Sequence, residues 1–434
     1  GKENQDTWFV AQPRRDLAIF AVLDGHGKQY GQLAALVAAR AIKHALCANV
    51  DATISAPAEA LTAAFRHAHD AVRCAMVAAR PSPWPGGVRR HEDYLLAYME
   101  ADDGSDSDDG GDDGAEPQRK WDAVDGGTTA SVALIIRDEL LVLGSLGDSS
   151  TVLLGRTGGN GGGGGGGGKA TSALLAEEHS PTNLAEFVRM RSLPGVGEQL
   201  RFTYDCPDFT QYDIFRRIAA PAPGSGGRGG GGGGGIGGWE LDKEAEKKAD
   251  AAGCGVKNSR GDLTTTLTIP ETRVDLAPLP GGGPGGHERS TVVDEQAITM
   301  TRSIGDLYAH KFGVIADPDV VTYRLDALPQ RLGLGRAGAK GDGSGEGGGT
   351  PAAPMLLLAS DGVWDLWGFD EVADKLVPPG STAARAPNGG GGMRSMRERC
   401  DAFTEETRAQ GEDYFGERAD NLTGVLVDLS RISP

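Results

Sequence analysis

The sequence predicts an α+β fold in which antiparallel sheets pack together and helices flank them. Three observations carry this. Two amphipathic helical patterns follow the first apolar strand. A run of β-prone segments, "ASVALIIRDELLVLGSLGDSSTVLL" (130–154), breaks at "RDE" as a hairpin and meander would. Two later strands, "MLLLASDG" (355–362) and "LTGVLVDL" (422–429), are apolar along most of their length, so both of their faces need cover. Hairpin connections in place of regular βαβ alternation point to antiparallel pairing.

Taken in order, "LAIFAVL" (17–23) is the first strand and stops at Asp24, in "VLDGHG". Leu33, Leu36, Val37, Ala41 and Ala45 share one face of the first helix, and Leu61, Ala64, Phe65, Ala68, Val72 and Met76 share one face of the second. Asp148 ends the apolar run "LLVLGSL", Asp361 ends "MLLLAS", and Asp420 lies just before the last strand. Between these patterns stand low-complexity tracts near 101–116, 158–168, 222–238, 281–286, 338–349 and 388–392. Such stretches bury nothing to offset their ordering entropy, so they read as disordered surface insertions within one domain spanning 1–434.

With 68 glycines in 434 residues, much of the length cannot belong to a core. A net charge of -18 repels nucleic acid and anionic membrane, and no apolar run reaches the roughly 18 residues of a membrane helix. Neither partner is expected. Five scattered cysteines without C-x-x-C spacing suggest neither a disulfide framework nor zinc, and fit an intracellular, reducing compartment.

The aspartates carry the chemistry. If the last strand runs antiparallel to the two that end in Asp24 and Asp361, three carboxylates converge at one sheet edge, and Asp148 is placed to join them. Clustered carboxylates repel unless a cation sits between them. Oxygen ligands without paired His or Cys favour Mg²⁺ or Mn²⁺, and two such ions can hold a bridging hydroxide while neutralising a phosphoryl group under in-line attack. The Gly25 carbonyl can approach a metal where a side chain would obstruct it. His26 is the nearest group able to protonate a leaving alkoxide. A lone Asp-Gly is more often turn chemistry; the convergence lifts these above that reading.

Eight blocks then carry a resemblance: "KENQD" (2–6), "FAVLDGHG" (20–27), "GGTTA" (126–130), "LGDSS" (146–150), "EEHSPTNLAEFVRM" (177–190), "MTRSIGDLYAHKFGVIADPDV" (300–320), "LLLASDGVWD" (356–365) and "ADNLTGVLV" (419–427). In this order they resemble the metal-dependent, type 2C protein serine/threonine phosphatases. The resemblance implies a four-layer α-β-β-α sandwich of two antiparallel sheets. It implies a two-metal site in which Asp24 bridges both ions, Gly25 binds the second, and Asp361 and Asp420 complete the first. Asp148 with Asp361 matches a weaker third metal, and His26 the general acid. Gln5 and Asp6 stand behind the ligands. Where the family often has a phosphate-holding arginine this chain has Lys2, a point cation without a guanidinium's fork. Ser150 replaces another usual arginine, and Asp306 in "TRSIGD" reads as structural support. The implied partner is a phosphoprotein, met by a monomer.

A rival class is a pseudophosphatase, a binding or scaffold module; the four carboxylates at strand ends oppose it. A phosphatase of small phosphate esters is a second rival. "RGD" (260–262), the polyglycine G-x-G-x-x-G matches and the EF-hand-like acidic run from Asp106 each lack the context their chemistry needs. His44, His67 and His69 read as surface or core-edge histidines, and Trp364 and Trp367 as packing under the site.

Overall fold

The structure is a computed structural model that describes residues 4–79, 88–100, 119–157, 168–206, 211–218, 238–254, 263–276, 289–334, 352–378, 395–416 and 419–431. The low-complexity tracts lie almost wholly outside the described residues, as do Lys2 and "RGD".

Nine strands form two sheets: β1 (Thr7–Arg14), β2 (Leu17–Leu23), β3 (Ala130–Ile136), β4 (Leu140–Leu146), β5 (Ser150–Arg156), β6 (Ala170–Leu174), β7 (Asp319–Arg324), β8 (Ala352–Ala359) and β9 (Gly424–Asp428). One sheet runs β1-β2-β3-β4-β7 and the other β6-β5-β8-β9. Every neighbouring pair is antiparallel.

The break at "RDE" is the β3–β4 turn. Arg137 and Asp138 both sit at φ +54°, and the Glu139 N–H donates to Ile136 O at 3.0 Å. Paired left-handed residues twist a hairpin in the sense its strands need. The expected meander stops there. β5 does not continue the first sheet; it pairs with β8 in the second, Ser150 opposite Ala359. The chain changes sheet at Gly147 (φ +94°), which puts Asp148 where the two sheets meet.

Side-chain alternation along the strands explains how both faces are covered. Leu17, Ile19, Ala21 and Leu23 of β2 pack on helices α1 (Gly31–Ala48) and α3 (Pro57–Ala78). Val22 of β2 and Ala133, Ile135, Leu141 and Leu143 face Leu153, Leu356, Leu358 and Val427 of the other sheet. On that sheet's far side, Val152, Leu154 and Leu357 meet Val372, Ala373 and Leu376 of α6 (Phe369–Leu376) and Phe403 of α7 (Met396–Phe415). Mixed helices and antiparallel sheets are therefore as expected. β9 differs, being an edge strand with only Val427 buried.

The face expected for α3 is the buried one, residue for residue. For α1 it is not: Gly31, Ala34, Ala35, Ala38, Ala39, Ile42 and Leu46 are buried, Leu33, Val37, Ala41 and Ala45 flank the core, and Leu36 is 39% exposed. An alanine face lets α1 approach α3 and β2 closely, and close packing outweighs the larger leucine. A short α2 (Val50–Ser55), capped by Asn49, lies between them.

The same core cluster that holds α1 and α3 takes in Phe187 and Met190 of α4 (Leu184–Arg191) and Ala249 of α5 (Lys243–Ala251). Glu186 of α4 is 3% exposed and fully paired: Arg302 Nη2 donates to Oε1 at 2.6 Å, Arg189 Nη2 to Oε2 at 2.7 Å, and Thr301 Oγ1 to Oε2 at 3.1 Å. Burial alone would raise its pKa, but the two guanidiniums outweigh burial and hold it at about 2. Cys206 and Cys254 form a disulfide with Cα atoms 4.1 Å apart, correcting the expectation that the cysteines stay unpaired. Their 48-residue separation conceals a pairing made only when α5 folds back beside the strand Arg201–Tyr204. Cys47, Cys74 and Cys400 are free thiols. Among the described residues no helix is long and apolar enough to cross a membrane.

Candidate active site

Asp24 leaves the end of β2 with its backbone fixed: its carbonyl accepts from Thr129 N at 2.8 Å and from Thr128 Oγ1 at 2.8 Å, and its N–H donates to Thr129 Oγ1 at 3.1 Å. "VLDGHG" thus meets "GGTTA" through a three-stranded ribbon, in which Gly25–His26 pairs with Gly127–Thr128, and that pair with Ile304–Gly305 of "TRSIGD". At Gly25, a Cβ would stand 2.5 Å from Gly31 O and 2.6 Å from Gln5 O, so nothing larger than glycine fits.

The carboxylates arrive from the strand ends. Asp361 follows β8 and Asp420 precedes β9, whose antiparallel pairing (Ala359 opposite Gly424) brings the two together as the sequence required. Asp6 precedes β1; its Oδ2 accepts from Ser360 Oγ at 2.9 Å. Gln5 ties three blocks at once, its N–H donating to Asn421 Oδ1 at 2.8 Å and its Nε2 to Gly27 O at 2.8 Å.

Burial, then the charges of Asp361 and Asp6, push Asp24 well above the usual carboxylate range. Burial, then Asp148 and Asp420, do the same to Asp361. Asp6 is raised by burial, and Asp148 is pushed up to about 6 by burial and the neighbouring Glu178. Asp148 Oδ2 accepts from Thr299 Oγ1 at 3.2 Å. The Oδ1 atoms of Asp6, Asp148 and Asp361 are buried without a hydrogen-bond partner. Asp420 is the exposed member. Among the described residues, no three His, Cys, Asp or Glu side chains are drawn into the geometry that holds a metal ion. The donor chemistry nonetheless fits a hard divalent cation: it is all oxygen, and three of those oxygens are unpaired in a site where like charges repel.

His26 Nε2 meets Asp306 Oδ2 at 2.6 Å, and its Nδ1 is buried without a partner. Burial lowers the imidazolium's pKa, but Asp306, with Asp148 and Asp125, outweighs it and holds His26 at about 9. Asp306 is thus more than scaffold. It reaches His26 from a left-handed turn (φ +43°), passing over Gly127, where a Cβ would stand 2.2 Å from its Oδ2. Chain distance hid this contact; the adjacent glycines of "GGTTA" were the available signal. Ser150 donates to Glu178 where an arginine was expected to be the family habit. His69 accepts from Gly305 N at 3.3 Å and packs 4.2 Å from His310, while His44 and His67 are exposed. Trp364 donates to Ala359 O and Trp367 to Thr407 Oγ1, both packed under the site.

A cavity of about 420 Å³ opens beside Asp148 and Asp361, walled on its far side by Tyr204, Leu241, Lys243 and Thr265. A second, of about 440 Å³, lies past Asp365 and Phe415 toward Asp420.

Residues 92–204 match the family model described as protein phosphatase 2C. A curated relative, the probable protein phosphatase 2C 61 of Arabidopsis thaliana, is 32% identical over 89 residues, a stretch that covers 20% of this chain and 20% of the relative. Among solved structures, the serine-threonine phosphatase 2C of Toxoplasma gondii is 13% identical with a TM-score of 0.46, over 98% of this chain and 90% of that one. The S. agalactiae serine/threonine phosphatase is 11% identical with a TM-score of 0.42, over 98% and 94%. Through the segment 92–204 the chain is similar to the protein phosphatase 2C family, and the matched stretch spans about a fifth of the curated relative.

Proposed function

We propose that this chain is a Mg²⁺- or Mn²⁺-dependent protein serine/threonine phosphatase, a hydrolase of phosphoserine and phosphothreonine esters in proteins. The observation that carries the reading is the set of unpaired, buried carboxylate oxygens of Asp6, Asp148 and Asp361 beside Asp24, at the edge shared by both sheets. Asp24, the Gly25 carbonyl, Asp361 and Asp420 would hold two ions, and Asp148 with Asp361 a third. Bound there, such ions supply an activated water and neutralise charge on the phosphoryl group.

The chain's own residues do the rest. Asp306 fixes the His26 ring by its Nε2 and keeps it protonated, leaving Nδ1 to give a proton to the departing seryl or threonyl oxygen. Gln5 and Asn421 lock the segment before β1 to the Asp420 turn, so the carboxylates keep their spacing. Tyr204 and Leu241 close one side of the cavity against bulk water. Lys2, outside the described residues, is assigned to the substrate phosphate. The reading includes a single four-layer α-β-β-α domain, a monomer and an intracellular compartment; the Cys206–Cys254 bond takes away the argument from unpaired cysteines.

The test is hydrolysis of a phosphothreonine peptide in Mn²⁺ or Mg²⁺, with and without chelator, beside Asp24→Asn. Metal-dependent release of phosphate, abolished in the variant, is expected; turnover that persists in chelator or in Asp24→Asn refutes the assignment.

A further inference from the structure

We propose that Lys243, the first residue of α5, is a second cation for the substrate's phosphate beside Lys2, the one that meets it in the 420 Å³ cavity; the inference rests on the phosphatase reading of that site. Among the described residues lining this cavity, Lys243 is the single cation, facing five carboxylates: Asp148, Glu178, Glu246, Asp361 and Asp365. The rest of the lining is hydroxyl-bearing or apolar, Ser180, Thr182 and Thr299 included. A phosphate monoester entering such a cavity carries close to two negative charges and meets one positively charged side chain.

The position of Lys243 is built rather than incidental. Leu241, two residues earlier, pairs with Phe215, and the Asp242 N–H donates to Ile214 O at 2.9 Å, so the chain entering α5 is tied to a neighbouring ladder. Asp242 caps the helix by accepting from Glu244 N and Ala245 N. At the far end the Cys206–Cys254 bond holds α5 against the strand that supplies Tyr204 to the same cavity. The ammonium itself is loosely held. Among the described residues its ion pair is to Glu246 at 3.5 Å, and the side chain is 71% exposed. A flexible stem on a fixed helix can swing from Glu246 to an arriving phosphate at small cost. Lys247, on the same helix, pairs with Glu244 at 3.2 Å and does not line the cavity, and so serves as the internal control.

Two readouts separate this inference from the phosphatase reading beneath it. The first is calorimetric titration of inorganic phosphate into the Mg²⁺-loaded protein, which needs no turnover. Lys243→Ala is expected to weaken phosphate binding about tenfold, the effect of one charge-assisted hydrogen bond. Lys243→Arg should restore most of the affinity, and Lys247→Ala should change nothing. The second is kinetics on p-nitrophenyl phosphate and a phosphothreonine peptide: Lys243→Ala should raise KM about tenfold on both while kcat stays within about twofold. Equal phosphate affinity in wild type and Lys243→Ala, no phosphate binding by wild type, or an equal loss in Lys247→Ala each overturns the inference. Lys243-dependent phosphate binding without turnover would leave it standing and sink the phosphatase reading instead.

Discussion

Two buried clusters of charge sit in this molecule and differ in one respect. Around Glu186 every carboxylate oxygen meets a guanidinium or hydroxyl, and the group is held at about 2. Around Asp24 the neighbours are other carboxylates, three oxygens find no partner, and Asp24 and Asp361 are pushed upward. A chain that can pair one buried acid so completely does not leave an oxygen of each of three others unpaired for packing's sake. The first cluster fastens α4 to the "TRSIGD" segment; the second leaves oxygens open, as the proposed cations would require.

The sharpest way to break the comparison is to mutate both. On the two-ion reading, Asp24→Asn should lower turnover by about a thousandfold or more, because it would remove a ligand and a charge. Its melting temperature should hold or rise in chelator, since a like charge is relieved. Loss of the fold in Asp24→Asn would place the cluster among structural elements. Glu186→Gln should do the reverse. Leaving Arg302 and Arg189 facing a neutral amide costs about 3 kcal/mol and lowers the melting temperature by several degrees, while the folded fraction keeps its kcat.

A pH series sharpens the contrast, because the two clusters carry opposite signs. Glu186 has a folded pKa below its unfolded value of 4.5, so its contribution is complete above about 4.5 and lost as pH falls toward 2. Asp24 and Asp361 have folded values above 3.8; their penalty is absent at low pH and grows as pH rises past about 4. In chelator, thermal melts should therefore peak in mildly acidic buffer. Saturating Mg²⁺ should raise the melting temperature more at pH 7.5 than at pH 5, and an equal rise at both would count against cation binding by these carboxylates.

Smaller effects are expected at the proton donor. Asp306→Asn should slow alkyl phosphates about ten- to a hundredfold and aryl phosphates much less, since only the poorer leaving group needs His26's proton. Equal slowing of both would remove His26 Nδ1 from that role.

Asp24, Asp361 and Asp420 were legible in the sequence because each ends or opens an apolar run, and antiparallel pairing then dictates where strand ends meet. The α3 face was legible because its large apolar side chains keep one period. The α1 face was not, since alanines carry little hydrophobic signal yet permit the closest approach. β5's departure to the second sheet, the Cys206–Cys254 bond and the grip of Asp306 on His26 all depend on contacts tens to hundreds of residues apart. Local pattern carries no trace of such contacts until the topology is known.

The bond from Gln5 to Asn421 joins residues 416 positions apart. During synthesis at roughly 5–20 residues per second, the first of these leaves the ribosome roughly 20–80 s before the second exists. Helices α1 and α3 can pack on β2 and β3 in that interval, but Asp24 waits first for Asp361 and then for Asp420. If the phosphatase reading holds, the nascent chain is catalytically silent until Asp420 is made, and a product that ends before it is inert rather than partly active.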